Sequence, residues 1–135
     1  MNSSTTDDAA VATPPGTSAL IPYVHVADLT RSIEFYRLVG LELEETHAAG
    51  GTTVWASLRN ATSRLFLILA EAPIDAGAQA ILFYLWTTDV GAMREHLMAH
   101  HIPVGALTFP PYMPRGEIRL TDPDGYVLLI GQRSG

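Results

Sequence analysis

Apolar residues recur along the chain in two kinds of spacing. Short runs of alternating or continuous apolar character at 20–27, 41–47, 52–59 and 64–71 predict four β-strands. A second set at 81–88, 103–108, 115–121 and 126–132 predicts four more. Between the first two strands of each set the apolar spacing lengthens to that of a helix. Leu29, Ile33 and Tyr36 share one helical face, and Val90, Met93 and Leu97 share another. Asp28 and Asp89 stand directly before these stretches, where a carboxylate can accept from the unpaired N–H groups of a first turn. Gly40 and Pro103 are the expected terminators.

The two sets repeat one pattern. YVHVADL at 23–29 matches YLWTTDV at 84–90 with an offset of 61, and NATSRLFLI at 60–68 matches DPDGYVLLI at 122–130 with an offset of 62. Each half reads as strand, helix and three strands, with one module at 19–74 and the other at 79–133. A unit of about 55 residues buries too little surface to stand well alone. The modules are therefore expected to fold against each other as one domain over 19–135. The run Asp122-Pro123-Asp124-Gly125 between two apolar strands predicts a turn, because proline presets φ and glycine accepts a positive one. Residues 1–18 are rich in Ser, Thr, Ala and Pro, lack periodicity, and are expected to form a flexible N-terminal tail.

Composition narrows the chemistry. With 47% hydrophobic and 16% charged residues, a packed core is expected rather than disorder. No apolar run approaches the ~20 residues of a membrane helix. The first 18 residues lack the basic start and apolar stretch of a signal peptide, so a cytoplasmic protein is expected. Cysteine is absent, which removes disulfides, thiol nucleophiles and thiolate metal sites. The net charge is −6, and all eight basic residues are arginine. Without lysine there is no Schiff-base chemistry, and without a basic cluster no nucleic-acid partner is expected. The acidic balance favours a cationic partner or serves solubility alone. No P-loop, dinucleotide glycine fingerprint, H-E-x-x-H or G-x-S-x-G motif occurs.

A doubled βαβββ unit carrying VADLTRSIEFYRLVGL at 26–41 and DPDGY at 122–126 resembles the vicinal oxygen chelate superfamily. That group includes glyoxalase I, extradiol dioxygenases, fosfomycin-resistance enzymes and bleomycin-resistance proteins. The resemblance implies an α+β fold in which two βαβββ modules form a curved mixed sheet around a cleft, and it implies a homodimer. It also places the family's metal ligands at Ile21, Leu82 and Leu129, with Leu67 as the repeat partner of Leu129. None of these offers a lone pair to a metal. Shifting the register by one residue gives Leu20, Pro22, Phe66, Ile68, Ile81, Phe83, Leu128 and Ile130, which are equally apolar. Neither a metal nor another cofactor is expected.

Strand periodicity puts Tyr23 and His25 on the face of Ile21, and Tyr84 and Trp86 on that of Leu82. With Leu67 and Leu129 they would line an apolar, aromatic cleft suited to a planar or partly cationic molecule. The alternative is that the tyrosines only pack the module interface. His25 is a candidate general base, or a histidine hydrogen-bonded within a half-buried sheet. Trp55 either walls the cleft or covers the sheet at a subunit contact. The stiff, aromatic segment at 109–119 resembles the segment bordering the drug cleft of bleomycin-resistance proteins. That likeness makes Tyr112, Arg115 and Glu117 candidates for lid or rim contacts, against the alternative of a rigid loop with surface charges. His96 and His100, four apart on a helix, read as surface histidines, and Glu42, Glu44 and Glu45 as a solvated strand edge.

The expected function is metal-independent binding of a small aromatic or cationic drug or natural product, acting by sequestration as in antibiotic resistance. The alternative is a glyoxalase- or dioxygenase-like lyase, isomerase or ring-cleaving enzyme with an atypical site. A scaffold whose dimer surface binds another protein is a third possibility.

Overall fold

The alternating stretches fold into two mixed sheets, each backed by one helix. The computed structural model describes residues 15, 16 and 18–133, so most of the expected tail at 1–18 lies outside the described residues. In chain order the elements are β1 (Tyr23–Val26), α1 (Leu29–Leu38), β2 (Glu42–Ala49), β3 (Thr52–Arg59) and β4 (Arg64–Leu69). A short helical turn at Ala76–Ala78 leads to β5 (Leu82–Thr87), α2 (Val90–Ala99), β6 (Glu117–Thr121) and β7 (Val127–Gln132). Sheet one has the order β1-β4-β3-β2 and sheet two the order β5-β7-β6. In each, the strand before the helix runs parallel to the last strand of its module, and the other pairings are antiparallel. Among the described residues no helix is long and apolar enough to cross a membrane.

The strand expected at 103–108 does not form. Only Thr108 bridges to Glu117, while the Gly105 N–H donates to the Arg119 carbonyl at 2.9 Å. Pro103 has no N–H to give a ladder and Gly105 no side chain to pack, so sheet two stops at three strands.

Asp28 and Asp89 cap their helices as expected, accepting from the N–H groups of Arg31 at 3.0 Å and Ala92 at 2.9 Å. Both helices end in the same reversal. The Leu41 N–H reaches back to the Tyr36 carbonyl and the Ile102 N–H to that of Leu97, each at 2.9 Å. In α1 the left-handed residue is Gly40, with φ 101°. In α2 it is His101, with φ 61°, two residues before the expected terminator Pro103.

The core lies between helices and sheets. Val24 and Val26, Ala56 and Leu58, and Leu65 and Leu67 face it from sheet one, and Ile118, Leu120, Leu128 and Ile130 from sheet two. The turn at 122–125 ties the modules together. Asp122 is buried and accepts from the Tyr36 hydroxyl on α1 at 2.7 Å, and from the N–H groups of Asp124 and Tyr126 at 2.9 Å. Asp124 accepts from the Ala27 N–H at 3.1 Å, and the Tyr126 hydroxyl donates to the His25 carbonyl at 3.1 Å. Burial raises the Asp122 carboxyl despite its three donors, and burial followed by the Asp122 charge raises the Tyr36 hydroxyl.

Candidate ligand-binding faces

Each helix covers one face of its sheet, and the opposite face is left open. On sheet one the strand register sets Tyr23 beside Phe66 and Ser57, and His25 beside Ile68 and Trp55. Three aromatic rings form a row. Phe66 meets Tyr23 nearly edge-on, with centroids 5.8 Å apart, and meets Trp55 at 5.1 Å. One end of this face is polar. Glu44 accepts from Nε and Nη2 of Arg64 at 2.8 and 2.9 Å and from the Ser57 hydroxyl at 3.0 Å. These bonds, Arg64 first, hold the Glu44 carboxyl down at about 2. Glu44 lies exposed on the edge strand β2, as expected, and is also a cross-strand ion-pair partner.

The open face of sheet two carries Leu82, Tyr84 and Trp86 from β5, Leu129 and Gly131 from β7, and Glu117 and Arg119 from β6. Tyr84 packs on Trp86 with centroids 5.2 Å apart. Its hydroxyl donates to Oε2 of Glu117 at 2.7 Å, and the Tyr112 hydroxyl donates to Oε1 at 2.7 Å. Glu117, expected as a lid or rim contact, is only 6% exposed and forms part of the floor. It sits there because the alternation of β6 turns it to the face of Tyr84, which is long enough to reach it. Burial and the Glu117 hydrogen bond raise the Tyr84 hydroxyl, and the same hydrogen bond leads the rise at Tyr112, so both phenols are proton donors at neutral pH.

The four strand residues expected to line one cleft divide between two grooves at the junction of the modules. Tyr23 and His25 line one of about 670 Å³, near Glu71, Asp75, Phe83 and Tyr126. Tyr84 and Trp86 line the other, of about 700 Å³, with Leu82, Arg59 and Arg64. Both volumes lie in the range of small-molecule sites. Tyr112 is exposed on its loop, as is Arg115. Leu129 lies half-buried on the open face. Leu67 does not reach either groove: it is 0% exposed and faces the core beside Val24.

Leu67 fails because the structural counterpart of Leu129 is one residue earlier. Tyr23 lies beside Phe66 as Tyr84 lies beside Leu129. Phe66 therefore occupies the position expected of Leu67, and its parity with Tyr23 across a parallel pair was the available signal. Gly131 was also missed. A Cβ there would come within 3.1 Å of Cε1 and Cζ of Tyr84, so the ring lies directly over the glycine.

The donors needed by the family's metal are not at its positions. Ile21, Leu82, Leu129 and Phe66 supply only carbon, and among the described residues no three His, Asp or Glu side chains converge. The residues present do not fit a metal at that place. His96 and His100 lie with ring centroids 4.6 Å apart, but one nitrogen of each is engaged by backbone. Nε2 of His96 meets the Leu38 carbonyl at 3.1 Å, and Nδ1 of His100 meets the His96 carbonyl at 2.9 Å.

Comparison with known proteins agrees with this geometry. A bleomycin resistance determinant encoded on transposon Tn5 superposes with a TM-score of 0.69 at 18% identity, covering 87% of this chain and 98% of that one. The antibiotic binding protein TnmS3 from Streptomyces sp. CB03234 gives 0.69 at 22% identity, with 90% and 100% covered. A lactoylglutathione lyase from Agrobacterium tumefaciens gives 0.62 at 20% identity, with 88% and 96% covered. At these identities the likeness shows the fold alone. No curated protein matches the chain by sequence. The family model for the Glyoxalase/Bleomycin resistance protein/Dioxygenase superfamily matches residues 20–130, and the chain belongs to that superfamily.

Proposed function

We propose that this protein is a metal-independent, small-molecule binding member of the superfamily, of the bleomycin-resistance type, which acts by sequestering a drug or natural product. The observation that carries the proposal is the pair of open aromatic faces, Tyr23–Phe66–Trp55 on one sheet and Tyr84–Trp86 on the other, with hydrocarbon where metal ligands would stand. Rings of this kind bind planar molecules by stacking and apolar burial, and neither mode needs a nucleophile or a metal. The names of two structural neighbours, a bleomycin resistance determinant and an antibiotic binding protein, favour the same reading. A single chain leaves both faces open, so we place the working site in a cytoplasmic homodimer in which a second copy completes the enclosure.

The lactoylglutathione lyase neighbour, and His25 in a groove beside Glu71 and Asp75, favour an enzyme as the second reading, with His25 as its base. A thermal-shift screen with glycopeptide drugs, aromatic natural products and divalent metals separates the two. Sequestration predicts a rise in melting temperature with a drug or natural product alone, scaling with saturation. A stoichiometric metal in protein purified without added metal contradicts it, as does turnover of a ligand that His25→Ala abolishes while the fold persists.

A further inference from the structure

Glu117 has surroundings that the fold itself does not require. Its carboxylate is 6% exposed, and each oxygen accepts from one phenol. Among the described residues every ion pair involves Glu44, so no guanidinium lies within ion-pairing distance of Glu117. Arg119, two residues along the same strand face, is the nearest cation in sequence on that face and points to solvent. Neutral donors compensate a buried carboxylate less well than a cation does.

The two donors differ in how they are held. Tyr84 is built in: it stands on a strand, lies over Gly131 and packs at a tilt against Trp86. Tyr112 reaches in from the loop after Pro110 and Pro111, and its residue is 65% exposed. Its hydroxyl caps Oε1 from the solvent side with little burial of its own ring. Removing that cap returns a phenol to water and opens one carboxylate oxygen beside the phenols of Tyr84 and Tyr112, with Trp86 packed on Tyr84. Aromatic faces around a carboxylate are a favourable setting for a cation.

We infer that Glu117 is the recognition carboxylate for an organic cation, a protonated amine or amidine on an aromatic body, and that the Tyr112 hydroxyl holds Oε1 until an N–H of that ligand displaces it. The inference rests on the proposed small-molecule binding and names the class of ligand. A neutral aromatic gains only from the rings and leaves the Tyr112 cap in place. A cationic one also exchanges a neutral donor on Oε1 for a charged one.

The test titrates the purified protein at neutral pH with 9-aminoacridine, a planar cation with an exocyclic amine, and with acridine, its neutral parent, following dye fluorescence. The wild type should favour 9-aminoacridine by about tenfold or more, the worth of a hydrogen bond to a charged group. Glu117→Gln should bring the ratio of the two affinities to within about twofold of unity, with the loss falling on 9-aminoacridine. Tyr112→Phe, at an exposed position, should tighten 9-aminoacridine by about threefold or more, because it deletes the competing donor. If Glu117→Gln does not fold, the Tyr112→Phe result alone decides. Equal affinity of the wild type for both dyes, a parallel loss of both in Glu117→Gln, or weaker 9-aminoacridine binding by Tyr112→Phe overturns the inference. Equal binding of the two dyes would leave small-molecule binding standing while removing cation recognition. Binding of neither dye also overturns the inference, and the drug screen then judges the broader reading separately.

Discussion

Tyr84 stands where it does because residue 131 has no side chain. The strand pairing brings the two backbones together, and the phenol extends across the glycine to Glu117. In Gly131→Ala the new methyl would push the ring off this path. The variant should stay folded, lose about 1–3 kcal/mol of stability by denaturant titration, and bind its aromatic ligands at least several-fold more weakly. Tyr36 does for the fold what Tyr84 does for the open face. Tyr36→Phe leaves the buried Asp122 one donor short and should cost about 1–3 kcal/mol, read from the urea midpoint. These contacts differ in how much of them is legible in the chain. The D-P-D-G motif announces a turn, and the tyrosines announce themselves as large amphipathic side chains. That Asp122 meets Tyr36, or that Tyr84 needs a glycine beneath it, depends on tertiary placement that local spacing does not encode.

At the scale of elements, capping chemistry and helical spacing make α1 and α2 readable, since Asp28 and Asp89 act locally and apolar residues recur every three or four positions. β4 was harder. Its run RLFLIL is apolar on both faces, so alternation does not say which residues face the core, and the parity slipped from Phe66 to Leu67. The missing eighth strand has a different origin. The run at 103–108 is apolar enough, but Pro103 brings no N–H to a ladder and Gly105 no side chain to pack. The β2, β3 and β4 strands of sheet one carry a pH dependence of their own. Glu44 links β2 to Arg64 on β4 and to Ser57 on β3 across an irregularity in the β2–β3 register. Its folded value of about 2 lies below that of an unfolded glutamate. Its contribution is therefore whole above the ordinary carboxylate range, declines as pH falls through that range, and is gone below about 2. Between pH 5 and pH 2, Glu44→Gln should flatten the fall of the melting temperature relative to the wild type, and an unchanged slope would count against the clamp.

At the scale of the whole molecule, the repeat at offsets of 61 and 62 predicts two modules folded against each other, and the buried residues of both sheets form one cluster. It did not foretell that the expected cleft residues would part into two grooves, because that depends on how the modules sit against each other. Tyr23 is exposed on one open face and Leu82 and Trp86 on the other, and exposed apolar surface of this kind suits an interaction site. The proposed homodimer should sediment at twice the chain mass of 14.6 kDa, and a monomer that still binds its ligand would refute the shared enclosure. Sequestration without metal is the central claim, and calorimetric titration of chelator-treated protein with the best binder from the drug screen, with and without added Zn²⁺, Ni²⁺ or Mn²⁺, tests it most directly. The account predicts saturable binding of unchanged affinity in both conditions, with the ligand recovered chemically intact. Binding that appears only once metal is restored, or a ligand consumed during the titration, would contradict it.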